Sequence, residues 1–483
     1  MELMVGAVGC GARVLFCGWG VPEGTWSAGL EALIAAGRFQ NETSQIKLLE
    51  DGGQMLILLG RPEAEDMRHV KQLIGRAVRM ARDEKAGSLE IDLDTWQGTM
   101  GVEPLVRAAA QAAWEGGYVF DTYRSARSPG LDRICITCAG AESETVQRAF
   151  AEGELLGQAV VWARDAVNRT SRDMTPQKLT ECILALTAED PCQAEVLDEE
   201  ALREAGAEAL LNVSAGSEAP PRMVILRYHG DAAHPDRVTA LLGKGVTYDS
   251  GGLALKSKSG MLTMHHDMGG AAAAAAAFHA AVRMGVRLNL TAVLPICENM
   301  LSPAGYRQGD IIGTMNGKSV LIKSTDAEGR LVLADAMTWA IRREKAERLV
   351  DIATLTGGAV SAYGPLINAV AVEDETLRTA VKAASASSGE LVWEMPLLDD
   401  YLTYIKAEHA DLANTSAGAG PAMINAALFL RAFTESRPWL HIDSAGTSWT
   451  DKTAGCFSSG ATGAGTVLLY DLICRLADQG GPT

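Results

Sequence analysis

The 483-residue sequence predicts an α/β protein of two domains. The carboxyl-terminal domain has a mostly parallel mixed sheet covered by helices on both faces, and the amino-terminal domain is a smaller α/β unit. Three observations predict this. From Thr175 onward, apolar runs of strand length alternate with helical segments, as in strands joined by crossover helices. Residues 1–150 show the same alternation but no constellation of chemistry-bearing residues. At roughly 100–200 residues per domain, the length allows two or three domains.

Residues 1–150 are read as an amino-terminal accessory domain. Val14-Leu15-Phe16 and residues 55–59 are buried strands. Residues 67–82 form an amphipathic helix, with Val70, Leu73, Ile74, Ala77, Val78 and Ala81 on one face. Cys135 and Cys138 make a C-x-x-C within a strand, where positions i and i+3 point to opposite faces, so they are read as two buried small residues. Residues 142–167 are a helical stretch interrupted only by Gly153 and Gly157, and 151–170 is read as a linker helix between the domains. Thr175-Pro176 suits the start of another helix. In the second domain, 171–483, strands are expected at 223–228, 238–242, 288–295, 319–323 and 349–353, with helices at 270–282 and 329–344. Ligands of such sheets bind outside the carboxyl ends of the strands.

Composition excludes several classes. Hydrophobic residues make up 47% of the chain, enough for a full core, yet no run approaches the ~18–20 apolar residues of a membrane helix. Residues 1–20 are apolar but lack a basic leader segment, so no signal peptide is expected. Nine cysteines without framework spacing indicate a reducing compartment, and the expected location is cytoplasmic. The net charge of −17 and the absence of a basic stripe argue against nucleic acid as a partner.

Three segments concentrate ionisable residues just after expected strands: 243–256, with Lys244, Asp249 and Lys256; 265–270, with His265, His266 and Asp267; and 324–330, with Asp326, Glu328 and Arg330. Asp249, Asp267, Asp326 and Glu328 lie among glycines and apolar residues rather than on a charged helical face. Four unpaired carboxylates meeting in one crevice are costly, and divalent cations resolve that cost. Two such cations sharing carboxylates sit about 3.5–4 Å apart. Lys244 and Lys256 act there as countercharges, as a neutral ligand, or as a cation that polarises a carbonyl. Arg330 opens a helix and, with nearby backbone N–H groups, makes an anion site. Taken alone, the 243–245 glycines and the Asp326-Ala327-Glu328 run have bland readings, the latter as an acidic helix start. No H-E-x-x-H accompanies His265 and His266, and adjacent histidines on an extended segment point apart, so neither is expected to bind metal.

These segments resemble the leucyl aminopeptidase (cytosol aminopeptidase) family. The resemblance rests on 242–256, on 264–270, on Ser324-Thr325-Asp326-Ala327-Glu328-Gly329-Arg330-Leu331, on 353–357 and on 459–463. It runs from about residue 160 to 475, and within the family the 439–443 and 460–463 text is most similar to the bacterial peptidase B branch.

The resemblance implies an aminopeptidase that releases amino-terminal residues, apolar ones such as leucine preferentially, through a metal-bridged hydroxide. It implies two divalent ions, zinc, manganese or cobalt. Asp249 and Glu328 bridge both, Lys244 as a neutral amine and Asp267 complete the tighter site, and Asp326 completes the more exchangeable one. Lys256 polarises the scissile carbonyl, and Arg330 holds a bicarbonate-like anion. Met264, Thr354, Leu355 and Gly357 line the pocket for the first residue. A homohexamer acting on peptides is implied as well. Ser324 departs from the family's asparagine, whereas the seven catalytic and metal positions are intact. A dipeptidase or cysteinyl-glycinase with the same site is the competing enzyme reading. A DNA-binding regulator is the non-enzymatic one, disfavoured by the negative charge.

Overall fold

The computed structural model describes residues 1–6, 10–17, 32, 36, 39, 42–51, 53–418 and 420–478. The chain divides into two compact units: Met1–Val161 with Asp451–Ser459, and Trp162–Thr450 with the segment from Gly460 onward.

The first unit holds a six-stranded sheet in the order Glu2–Val5, Arg133–Thr137, Ser88–Asp92, Ala12–Phe16, Gln54–Leu59, Ile46–Asp51. All pairings are parallel except the last. The helix Met67–Asp83 buries the expected face, Val70, Leu73, Ile74, Ala77, Val78 and Ala81, in one core with Val14, Phe16, Ile57 and Leu59. Asp66 caps its start by accepting from the His69 N–H at 2.9 Å. Cys135 and Cys138 are both buried, and the neighbour of the Cys135 sulfur is Cys10, at 3.3 Å. Glu144–Asn168 is one unbroken helix. Its two glycines are sites of close approach: a Cβ on Gly153 would lie 2.4 Å from the Arg107 carbonyl, and one on Gly157 2.7 Å from the Trp114 Cβ.

The second unit is built on a nine-stranded mixed sheet. Its order is Leu391–Glu394, Ile367–Val372, Trp439–Asp443, Arg348–Ala353, Val238–Gly243, Asn289–Asn299, Arg222–His229, Gln193–Leu197. Gly245–Asp249 continues beside the second half of Asn289–Asn299. The four central strands and Gly245–Asp249 run parallel, and antiparallel strands close both sides. Helices Pro176–Leu186, Gly269–Arg283, Glu375–Ser388 and Thr466–Asp478 pack together on one face, and Glu208–Ser214, Gly329–Arg342 and Ala422–Arg431 on the other. Thr175 caps its helix with Pro176 in the first turn. The alanine run 271–277 is entirely buried, its small side chains letting the helix lie close on the strands.

Two expectations change. Residues 319–323 contribute only the short strand Val320–Leu321, which pairs with Ile311–Ile312 and Leu412–Ala413 in a separate three-stranded sheet. The histidines are not extended: Met264–His266 is a 3₁₀ turn, and both rings lie on Trp449, with centroids 5.2 Å (His265) and 5.5 Å (His266) away.

Candidate functional site

Parallel strands end together, so the residues just past their carboxyl ends meet. Lys244 occupies the break between Val238–Gly243 and Gly245–Asp249, and only 2% of it is exposed. Its backbone N–H donates to the Ile352 carbonyl at 3.1 Å, and its own carbonyl accepts from the Ala271 N–H at 2.8 Å. Lys244 Nζ lies 2.8 Å from Asp267 Oδ2 and 2.7 Å from Glu328 Oε1, and donates to the Thr354 carbonyl at 3.1 Å. Gly329 is glycine for this reason, because a Cβ there would stand 2.6 Å from Lys244 Nζ and Cε.

Asp249 ends its strand, and Lys256 Nζ lies 2.6 Å from its Oδ2 and in contact with Asp326. Asp249, Asp326 and Glu328 each offer one oxygen, all within 4.8 Å of one another. Asp267 joins this set through Lys244, and its Oδ1 accepts from the Thr354 hydroxyl at 2.7 Å.

The charges do not balance locally. Four carboxylates share two ammonium groups, so the site is two positive charges short of neutral. The titration directions express that deficit. Burial raises Asp249 well above the usual carboxylate range and Asp267 to about 6, and neighbouring carboxylates add to both. Burial raises Asp326 as well. Glu328 is buried too, yet Lys244 and Lys256 hold it below its usual value. Burial presses both lysines toward neutrality, but the surrounding carboxylates outweigh it and leave both raised. A buried set of hard oxygen donors with a charge deficit of two fits divalent cations.

Arg330, in the first turn of Gly329–Arg342, donates from NH1 to the Asn414 carbonyl at 2.8 Å. Its Nε has no partner among the described residues, and burial lowers its pKa to about 10. A buried cation with an unused donor fits a small anion.

Of the four residues expected to line the first-residue pocket, Thr354 touches the cluster directly. The Leu355 N–H donates to Asp443 Oδ1 at 3.2 Å. Gly357 opens the helix Gly357–Tyr363, and a Cβ added there would meet nothing within 4 Å, so this position borders open space. Met264 is half-buried and opens the 3₁₀ turn that leads to Asp267. His266 is buried, pushed down to about 4 mainly by desolvation, and its Nδ1 is engaged with the Thr263 carbonyl.

Sequence reasoning missed three supporting residues. Asn414, fully buried, accepts from the Lys323 N–H at 2.9 Å and donates to the Ser324 carbonyl at 2.6 Å, so it holds the turn that carries Asp326. Asp443 accepts from the Leu355 N–H and, at 2.6 Å, from the Thr356 hydroxyl. Asn299 donates to Asp249. The one signal for Asn299 and Asp443 was a polar residue ending an apolar run.

Comparison with known proteins bears on the family and the fold. Residues 161–470 match the catalytic domain of the cytosol aminopeptidase family, and residues 25–127 match its N-terminal domain. A probable cytosol aminopeptidase of Clostridium perfringens is 37% identical over 433 residues, 88% of this chain and 87% of the relative. One of Solibacter usitatus is 35% identical over 442 residues, 90% of each chain. Among solved structures, the bottromycin maturation enzyme BotP superposes with a TM-score of 0.87 at 31% identity, covering 97% of this chain and all (100%) of that one. The same enzyme solved in complex with Mn superposes with a TM-score of 0.86, covering 98% of this chain and 99% of that one. The chain belongs to the cytosol aminopeptidase family, a family of peptidases that hydrolyse peptide substrates.

Proposed function

We propose that this chain is a two-metal exopeptidase that releases amino-terminal residues, preferably apolar ones such as leucine. The observation that carries the reading is the charge deficit: four carboxylates, three of them with oxygens within 4.8 Å of one another, share two ammonium groups. Lys244, Asp249, Asp267, Asp326 and Glu328 would hold two divalent cations, with zinc, manganese and cobalt all suited to the donor set. The cations would supply the positive charge that lets water ionise near neutral pH. Against carboxylates alone Lys244 is an ammonium, so its service as a neutral amine ligand requires the cations to replace its charge.

The chain's own groups supply the remaining chemistry. Lys256, no longer needed to neutralise Asp249 and Asp326, would turn its ammonium to the scissile carbonyl oxygen and stabilise the negative charge that develops there. Asp267 would face the substrate's free amine. Arg330 would hold a bicarbonate-like anion placed to accept the proton that water gives up. Met264, Thr354, Leu355 and Gly357 would border the pocket for the first side chain, with Gly357 leaving room for it. The family resemblance also supports a homohexamer, which sedimentation velocity tests. The names of the relatives support a cytosolic location.

The amine requirement tests the reading. A leucine-terminated peptide and its N-acetyl form have equivalent scissile bonds, but acetylation removes the amine's charge and lone pair. With those positioning interactions gone, the acetylated peptide should show no measurable turnover. Comparable kcat/KM for the two would replace this reading with an endopeptidase or an unrelated hydrolase.

A further inference from the structure

We propose that Asn299 is a positioning residue of the metal centre. Its side-chain amide sets the orientation of the Asp249 carboxylate and ties the Asp249 loop to the Thr325–Glu328 turn, so that the two carboxylate-bearing loops keep one spacing. The proposal rests on the reading of Asp249 as a metal ligand.

Asn299 ends the strand Asn289–Asn299, and its register partner on the parallel strand is Asp249. It is fully buried. Its carbonyl accepts from the Ser250 N–H at 3.0 Å and from the Ser250 hydroxyl at 2.7 Å, which fixes the backbone just beyond Asp249. Its Nδ2 makes two donations, to Asp249 Oδ1 at 2.8 Å and to the Thr325 carbonyl at 2.9 Å. Both partners are acceptors, so the amide has one tenable orientation. A flip would set its oxygen against a carboxylate and a carbonyl.

That orientation leaves Oδ1 without a partner among the described residues. A buried unpaired acceptor is unfavourable, and a leucine of similar size would avoid it. The two N–H donors are therefore what the position supplies. They act on groups that carry the chemistry. Asp249 Oδ1 also accepts from the Gly251 N–H at 2.9 Å, so both lone pairs of that oxygen are taken by the protein. Oδ2, the oxygen beside Lys256, is the one left for a cation.

The second donation reaches the other loop. The Thr325 carbonyl also accepts from the Tyr306 hydroxyl at 2.8 Å, while the Thr325 hydroxyl donates to the Gly251 carbonyl at 2.6 Å and accepts from the Ala254 N–H at 2.8 Å. Among the described residues, Asn299 is thus the neutral side chain that bonds both to the Asp249 carboxylate and to the backbone of the turn carrying Asp326 and Glu328. Without it the Asp249 carboxylate loses one of the two donors that hold Oδ1, and the two loops lose a direct tie.

The test is Mn²⁺ binding by titration calorimetry to the chelator-treated full-length chain, with circular dichroism as the fold check. Asn299→Leu keeps size and removes the donors, and Asn299→Ser serves if the leucine variant does not fold. Asn299→Asp keeps shape and sets an oxygen against Asp249. All three should bind Mn²⁺ about 10–100-fold more weakly than the wild type, the range expected when a partner of a metal ligand is lost. Saturating Mn²⁺ should restore most of kcat to Asn299→Ser, a rescue that a general packing defect would not show. Wild-type affinity in folded Asn299→Leu or Asn299→Ser overturns the positioning role. A wild-type chain that binds no Mn²⁺, Zn²⁺ or Co²⁺ overturns the two-metal reading instead, and this proposal with it.

Discussion

Glu328 and Lys256 show two ways in which one charged side chain can serve this centre. Glu328 is buried against Lys244, with its oxygen among those of Asp249 and Asp326. Glu328→Ala should lose both activity and metal, because one residue donates to the whole cluster. Metal analysis of the dialysed variant checks this, and full occupancy in a folded variant would contradict the two-metal arrangement. Lys256 instead pairs with Asp249 and Asp326, and would compete with any cation for their oxygens. Lys256→Ala should therefore bind Mn²⁺ at least as tightly as the wild type while kcat falls by roughly 100-fold or more, the loss expected of one oxyanion donor. Weaker Mn²⁺ binding would make Lys256 a ligand. The carboxylates and lysines of this centre were legible in the sequence, because charged residues among glycines at strand ends are unusual. Asn414 was not legible. Its partners Lys323 and Ser324 are about ninety positions away, and only the three-stranded sheet brings them together.

At the scale of elements, the helix Gly329–Arg342 carries Arg330 at its start and a second buried acid, Asp335, in its middle. Asp335 accepts from the Leu210 N–H at 3.0 Å and the Met315 N–H at 2.8 Å, so it fastens this helix to Glu208–Ser214 and to the 314–317 turn. Burial pushes its carboxyl up to about 7 from 3.8, although the backbone donors favour the charged form. The sign follows from proton linkage. Between about pH 4 and 7 the folded chain keeps a proton that the unfolded chain has released, so this group's contribution to stability falls as pH rises through that window and is constant above it. The side-chain amide introduced by Asp335→Asn cannot titrate, so the unfolding midpoint of that variant should gain on the wild type from pH 5 to 7 and then stay level. Urea midpoints at pH 5, 6, 7 and 8 check this, and a constant offset would place the folded pKa outside the window. Helical periodicity made Met67–Asp83 legible down to its buried face, and Thr175-Pro176 marked its helix start. The 319–323 run was misleading, since an apolar run does not say which sheet it joins. The histidines were misread because contact with Trp449, nearly two hundred positions on, decides their conformation.

At the scale of the molecule, the alternation of strands and helices was enough for the α/β class and for placing the chemistry in the carboxyl-terminal part. It could not show that Asp451–Ser459 belongs to the first compact unit, because that assignment is made by packing alone. All seven positions proposed to hold metal or act in catalysis lie in the second unit. A ligand that binds only the folded form stabilises what unfolds with its site, by about 2.7 kcal/mol at a hundred times its Kd. Mn²⁺ should therefore slow amide exchange in Gly245–Asp249, Gly269–Arg283 and Gly329–Arg342, the elements that hold or flank the donors. The strands Ala12–Phe16 and Gln54–Leu59 of the first unit should exchange as before. Chelation should reverse the effect, and Glu328→Ala should abolish it. Hydrogen exchange read by mass spectrometry separates the outcomes. Protection confined to the second unit would mean that metal binding is coupled to the stability of that unit. An equal rise in the strands of the first unit would mean that the whole chain unfolds in one step, and no rise anywhere would mean that the carboxylate cluster does not bind Mn²⁺.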